Sequence, residues 1–327
     1  MPLPFKKNKF FMRKKGSILL VSSWVLSLLV IFALSSGYRA QIALKLSRYQ
    51  RGGLETSCLM TAGINRAIYE LEKDVNSYDT LSESWSDNEK VFSKISPQEN
   101  KKEFCTVSYV DEKGNEVFGV MDEQSKIDIN NSDSRVIEEL FNLKGFNADA
   151  KEFSKIFREW ISPSVEAQEE KKIFKNSPLS AKEELLVVLE YFYKDKPKAR
   201  EVYESVENLI TVYGGGKSNI NTVSEDALLI LSKAYAETEE EKNAAPRLAE
   251  DLIKIREEGF LKEMNGITFD AGFDLDELSL WNKISAFLDV KSDYFRINAQ
   301  VVAKDTLKQV SAVFNRDAKE IIYWHQF

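Results

Sequence analysis

Few side chains in this 327-residue chain are placed to do chemistry. The single histidine, His325, cannot build a multi-histidine metal site. As a catalytic base it would need a positioned nucleophile, and no Gly-x-Ser-x-Gly turn accompanies it. It is expected as a surface or packing residue. Cys58 and Cys105 are too few and too far apart for a zinc module. In an oxidising compartment they could form one disulfide, and Cys58, on an expected helix, could equally pack as a small apolar residue. Tyr213-Gly214-Gly215-Gly216-Lys217 superficially suits a phosphate but lacks the Walker spacing of glycines around four residues. Asp270, Asp274 and Asp276 lie close in sequence, and carboxylates suit calcium. No EF-hand loop frames them, so calcium stays an open candidate without assigned ligands. Nothing here points to an enzyme.

The elements that must position these residues begin with the N-terminus. Lys6, Lys7, Lys9, Arg13, Lys14 and Lys15 precede Gly16, and residues 17–38 carry no charge. As a helix those 22 residues span about 33 Å, enough for a hydrocarbon core of about 30 Å. The cations place the N-terminus in the cytoplasm by the positive-inside rule. Three readings compete: a plain anchor, a secretory signal cut near Ala33-x-Ser35, and a signal cut at the Gly16–Ser17 junction that keeps the apolar helix. The last is the arrangement of a type IV pilin-like precursor. Removing the leader takes the formal charge from −7 to −13. An acidic body argues against nucleic-acid binding.

Past Tyr38 the pattern turns amphipathic. Leu54, Cys58, Thr61, Ile64, Ile68, Leu71 and Val75 recur at helical spacing with one buried face, which reads as one long helix, in lipid first and then against a globular domain, weakened at Gly52-Gly53; the alternative is two helices joined there. Residues 104–110 alternate as a strand, and Asp111–Asn115 turns the chain into Val117–Met121 as a hairpin. Lys126-Ile127-Asp128-Ile129-Asn130-Asn131 is repeated 91 positions later as Lys217-Ser218-Asn219-Ile220-Asn221-Thr222. Each copy reads as an extended segment, a turn and a capped helix, with Asp133 or Ser134 and Ser224 as the caps. Helices are expected over 149–161, 180–194, 198–210, 225–236, 246–258 and 275–288, with Ser180 as a cap. The charge run Glu237–Lys242 reads as a solvated loop or helix end. Strand texture returns at Tyr294–Val301, Val310–Phe314 and Glu320–Trp324, so a helical block sits between strands.

Taken in order, these pieces resemble the minor pseudopilin K family of type II secretion, also called general secretion pathway protein K. The resemblance covers nearly the whole chain. It rests on the basic leader, Gly16 and the apolar helix, and on Asp122-Glu123-Gln124-Ser125-Lys126-Ile127-Asp128-Ile129-Asn130. It continues through Phe157-Arg158-Glu159-Trp160-Ile161, Ser177-Pro178-Leu179 with Glu183-Glu184-Leu185, Asn219-Ile220-Asn221-Thr222 and Ser292-Asp293-Tyr294-Phe295-Arg296-Ile297. The sequence departs from the family at Ser17, where Phe or Met is common, and at Glu159, where Asp is expected. Ser162–Lys175 also lacks the usual acidic, Pro- and Gly-rich loop.

The resemblance implies an α+β fold: a pilin-like long N-terminal helix on a small antiparallel sheet, with a large inserted all-α domain of SAM-like, helix-hairpin-like character. Its parts would be a cleaved leader (1–16), a transmembrane segment (17–38), the pilin-like helix and first strands (39–121), the inserted domain (122–290) and the returning strands (291–327). It implies cleavage by prepilin peptidase between Gly16 and Ser17, and a single-pass protein of the bacterial inner membrane with a periplasmic body. The implied partners are the I and J pseudopilins, with the H component indirect. Most pilin-like proteins carry Glu at the fifth mature position, which here is Val21, and the K family lacks that Glu. Such a subunit cannot neutralise a neighbour's N-terminal ammonium and is best placed at the fibre tip. The rival class is a membrane-anchored periplasmic adaptor.

Overall fold

The computed structural model describes residues 17–96, 103–111, 113–162, 174–264, 272–303 and 306–327. The chain divides into two units, Met1–Ser57 and Cys58–Phe327. A single helix, α1, runs Ser17–Lys73, and one short turn, α2, spans Glu89–Phe92. The long helix runs through Gly52-Gly53 as one element, as the first reading expects, and is not two helices joined there. Thr56 Oγ1 donates to the Gly52 carbonyl at 2.8 Å and Ser57 Oγ to the Gly53 carbonyl at 3.0 Å, so the hydroxyls cover the backbone that the glycines leave bare.

In the second unit, the last turns of α1 lie on an antiparallel sheet. Strands β1 (Phe104–Val107), β9 (Tyr294–Ala303), β10 (Thr306–Asn315) and β11 (Glu320–Gln326) stand in that order, and β4 (Met121–Asp122) pairs with the start of β9. Period-2 alternation along β9 sends Phe295, Ile297, Ala299 and Val301 to one face. Leu59, Met60, Ile64, Ala67 and Leu71, at helical spacing, meet that face, joined by Val310, Ala312 and Phe314 of β10. Gly63 allows the close approach: a Cβ there would sit 2.4 Å from Cys105 Sγ.

The expected hairpin is shorter than its sequence pattern. Only β2 (Tyr109–Val110) and β3 (Glu116–Val117) pair with each other, around a turn where the Asp111 carboxylate accepts the N–H of Lys113 and of Asn115. The flanking residues pair with β9 instead, because β9 offers a buried apolar face and an isolated hairpin does not.

Between β4 and β9 lies a helical region with its own core. It contains α3 (Ser134–Leu143), α4 (Asn147–Ile161), α5 (Glu184–Tyr193), α6 (Lys196–Val206), α7 (Glu225–Tyr235), α8 (Glu239–Glu258) and α9 (Leu275–Ile284). Two short parallel pairs brace it: β5 (Ile127–Asp128) with β6 (Ile210–Thr211), and β7 (Ser218–Asn219) with β8 (Leu288–Asp289). These strands cut short two expected helices, which end at Val206 and Ile284. Asp133 and Ser224 cap α3 and α7. Ser180 caps nothing: α5 starts at Glu184, whose carboxylate reaches back to the Ser180 N–H at 3.3 Å. The charge run at 237–242 opens α8 through a Thr238–Glu241 capping box, and Glu241 is buried against Lys283 at 2.8 Å.

Candidate functional site

The first candidate is the N-terminal part of α1. Gly16 lies outside the described residues, and Ser17 is the first residue of the helix. From Ile18 to Leu34 the large apolar side chains, Val21 among them, are exposed all round. A helix that is apolar on every side belongs in a protein core or in lipid. Among the described residues this is the one helix long and apolar enough to cross a membrane. Its serines do not spoil it. Ser22 Oγ donates to the Leu19 carbonyl at 3.0 Å and Ser27 Oγ to the Ser23 carbonyl at 2.9 Å, so neither hydroxyl needs water.

The second is a buried polar junction between the helical region and the sheet. Asn219 of β7 is fully buried. Its amide donates to Asp122 Oδ2 at 3.2 Å, to Ser292 Oγ at 2.9 Å and to the Asp79 carbonyl at 3.3 Å. Asp122 Oδ2 also accepts from Thr222 Oγ1 at 2.5 Å and Ser292 Oγ at 2.7 Å. Asp79 is gripped by Arg316, with Nη1–Oδ1 at 2.8 Å and Nη2–Oδ2 at 2.6 Å. That fork–carboxylate geometry is the strong form of an ion pair.

Two acids here are protonated more easily than usual. Burial pushes Asp122 up to about 6, against hydrogen bonds from Thr222 and Ser292 and with the help of nearby Asp79. Burial, opposed by the Asn76 N–H, and then the charges of Glu83 and Asp79 push Asp74 up to about 6. Next to the junction, burial works against the charge of Glu123, yet Arg296 and Lys126 outweigh it and hold the carboxylate at about 2. These groups fasten two layers together. The sequence did not mark Asp79 and Arg316, which are 237 positions apart, and no local pattern joins them.

The residues singled out for chemistry are spread over the molecule. His325 is exposed on β11, its ring near those of Tyr323 and Phe327. Cys58 is exposed and Cys105 buried, and both are free, so the disulfide is not formed and Cys58 does not pack as a core residue. In the Gly-rich loop, Gly215 and Gly216 adopt positive φ of 60° and 82°, and the Gly216 N–H points at Asp128 Oδ2 at 3.0 Å. The loop cradles a carboxylate of its own chain instead of a phosphate, and Lys217 pairs with Asp289 at 3.0 Å. Of the calcium candidates, Asp270 lies outside the described residues. Asp274 caps α9 and pairs with Arg247 at 2.6 Å. Carboxylate oxygens of Asp74, Asp79 and Glu83 lie within 4.8 Å of one another, and Arg316 already supplies the cation beside them.

The chain has a long N-terminal helix, a small antiparallel sheet and a large helical region. This is a GspK-like fold. The chain superposes on the GspK chain in the crystal structure of the GspK–GspI–GspJ complex from the enterotoxigenic Escherichia coli type 2 secretion system, with a TM-score of 0.53. The match covers 86% of this chain and 98% of that one at 12% sequence identity, so the likeness is one of fold. No protein-family model and no curated protein matches the sequence.

Proposed function

We propose that this chain is a non-enzymatic minor pseudopilin of a type II secretion system, placed at the tip of the periplasmic pseudopilus and supporting its assembly and protein export. The observation that carries this reading is a fold shared over nearly the whole of a GspK chain, joined to an apolar helix that meets the basic leader at Gly16. Prepilin peptidase cuts between Gly16 and Ser17. The helix holds the subunit in the bacterial inner membrane, N-terminus in the cytoplasm and body in the periplasm. Its partners are the I and J pseudopilins, as GspK is seen with GspI and GspJ in the solved complex, with the H component indirect.

Charge supports the tip position. No Asp or Glu occurs between Ser17 and Leu54, so neither Val21 nor any neighbour in the apolar helix can neutralise an adjacent subunit's N-terminal ammonium. A charge left in the hydrocarbon costs about 2.5–3.5 kcal/mol on insertion scales. A subunit above this one would meet that cost, and the helical region adds bulk.

The test is the N-terminal sequence of the protein from membranes with and without prepilin peptidase. A start at Ser17 that requires the peptidase supports the reading. An uncut N-terminus sinks it in favour of an anchored adaptor, and a start at Ser36 in favour of a secreted protein. Orientation has its own probe. Cys58 is exposed, whereas Cys105 is buried and burial pushes its thiol up to about 12. A membrane-impermeant maleimide added to the periplasmic side should label once, at Cys58, and C58S should abolish the label.

A further inference from the structure

The helix does not become an ordinary solvated helix where its uncharged stretch ends. Arg39, Lys45, Arg48 and Arg51 follow within 13 residues of Tyr38, all of them exposed. The first acid is Glu55, which pairs with Arg51 at 3.2 Å. Arg39, Lys45 and Arg48 make no ion pair among the described residues. Exposed Ile42, Leu44 and Leu46 stand between them, and exposed Tyr38 and Tyr49 flank them. This segment is therefore apolar, aromatic and cationic at once.

The geometry sets how far these cations lie from the hydrocarbon. At about 1.5 Å per residue, Lys45 and Arg48 sit roughly 10 to 15 Å along the axis from Tyr38. Helix side chains lean toward the N-terminus, here back toward the apolar span, and long cationic side chains reach further still. The polar zone outside the hydrocarbon core is about 5–8 Å deep on each side. Leaning cations from these positions reach the layer where lipid phosphates lie, while Tyr38 and Tyr49 suit the same boundary.

We propose that Arg39, Lys45 and Arg48 form a collar that binds the phosphates of anionic lipid head groups at the outer face of the span. The occupant is a lipid: the site is continuous with the apolar helix, wholly cationic, and lacks any acid of its own before Glu55. The collar holds the subunit in the membrane until it leaves for the fibre, and it rests on the reading of residues 17–38 as a membrane span.

The experiment uses the full chain in non-ionic detergent. Native mass spectrometry counts retained phosphatidylglycerol against phosphatidylcholine of the same acyl chains. A cation near an anionic surface adds about fivefold to binding, so a preference of tenfold or more is expected. R39Q/K45Q/R48Q should bring it to within about twofold. Replacing the six leader cations with Gln should leave most of it. Equal retention of the two lipids by the unaltered chain would overturn the proposal and point to carboxylates of a neighbouring subunit as the occupant. So would a collar variant that keeps the preference, or a leader variant that loses it. Alkaline carbonate extraction separates the failures: a chain released from membranes defeats the span and the collar together, and a chain that stays while the preference is insensitive to the collar defeats the collar alone.

Discussion

The two copies of the internal repeat have the same local chemistry and opposite surroundings. In both, the side chain of the second-strand residue accepts the N–H two positions on: Asp128 from Asn130 at 3.0 Å, Asn219 from Asn221 at 3.0 Å. In both, the next Asn clamps a distant backbone. Asn130 holds the N–H and C=O of Leu179, at 2.8 and 2.9 Å, and Asn221 holds those of Leu261, at 2.8 and 2.9 Å. What differs is the neighbour of the leading side chain. Donors surround Asp128, from Gly216 N–H at 3.0 Å and Asn131 Nδ2 at 2.7 Å. Acceptors surround Asn219, from Asp122 and Asp79. The carboxylate sits where donors converge and the amide where acceptors do. The first copy closes the helical region on itself, and the second ties it to the sheet.

Exchanging the two side chains breaks that match and gives the largest effects. Asn219→Asp places a third carboxyl beside Asp122 and Asp79 with no cation of its own. Leaving a buried charge uncompensated costs roughly 3–5 kcal/mol. Asp128→Asn turns an amide against two donors and costs roughly 1–3 kcal/mol. Urea unfolding followed by tryptophan fluorescence should rank Asn219→Asp well below Asp128→Asn. The reverse order would mean that the second copy is not the fastener.

The repeat was legible in the sequence because turn and cap chemistry is local: Asp, Asn, Ser and Thr announce themselves within four residues. The period of α1 announced a helix but not its buried face: of Leu54, Cys58, Thr61, Ile64, Ile68, Leu71 and Val75 only Ile64 and Leu71 are buried, with Ile68 half-buried, and the face on the sheet is completed by Leu59, Met60 and Ala67. The partners of Asn219 were not, because Asp79 and Ser292 come from segments 140 and 73 positions away. Ser180 misled because a preferred cap residue is only an offer, and Glu184 took up the Ser180 N–H from the helix side. The apolar helix was plain in composition, whereas no local pattern distinguishes Arg316.

A smaller effect sharpens the comparison of the clamps. Asn130 makes a third bond, to the Val212 carbonyl at 3.1 Å, which Asn221 does not match. Asn130→Ala should cost more than Asn221→Ala, by about 1 kcal/mol for the extra bond. Hydrogen exchange gives a local readout: the Leu179 amide should lose protection in the first variant and the Leu261 amide in the second. Crossed losses would mean that the clamps act through the common core.

The smallest effect is a slope. Asp122 has a folded value near 6 against an ordinary value of 3.8, so between those limits the folded chain binds the extra proton. The contribution is complete below about 3.8 and is lost as pH rises through about 6. One such group gives at most about 1.4 kcal/mol per pH unit. Asp74 titrates in the same window with the same sign. Unfolding free energy at pH 5, 6 and 7 should therefore carry an increment that grows toward pH 5. Asp122→Asn should remove about half of it while lowering the baseline, because its new amide faces the Asn219 amide. An increment insensitive to Asp122→Asn would place the proton elsewhere.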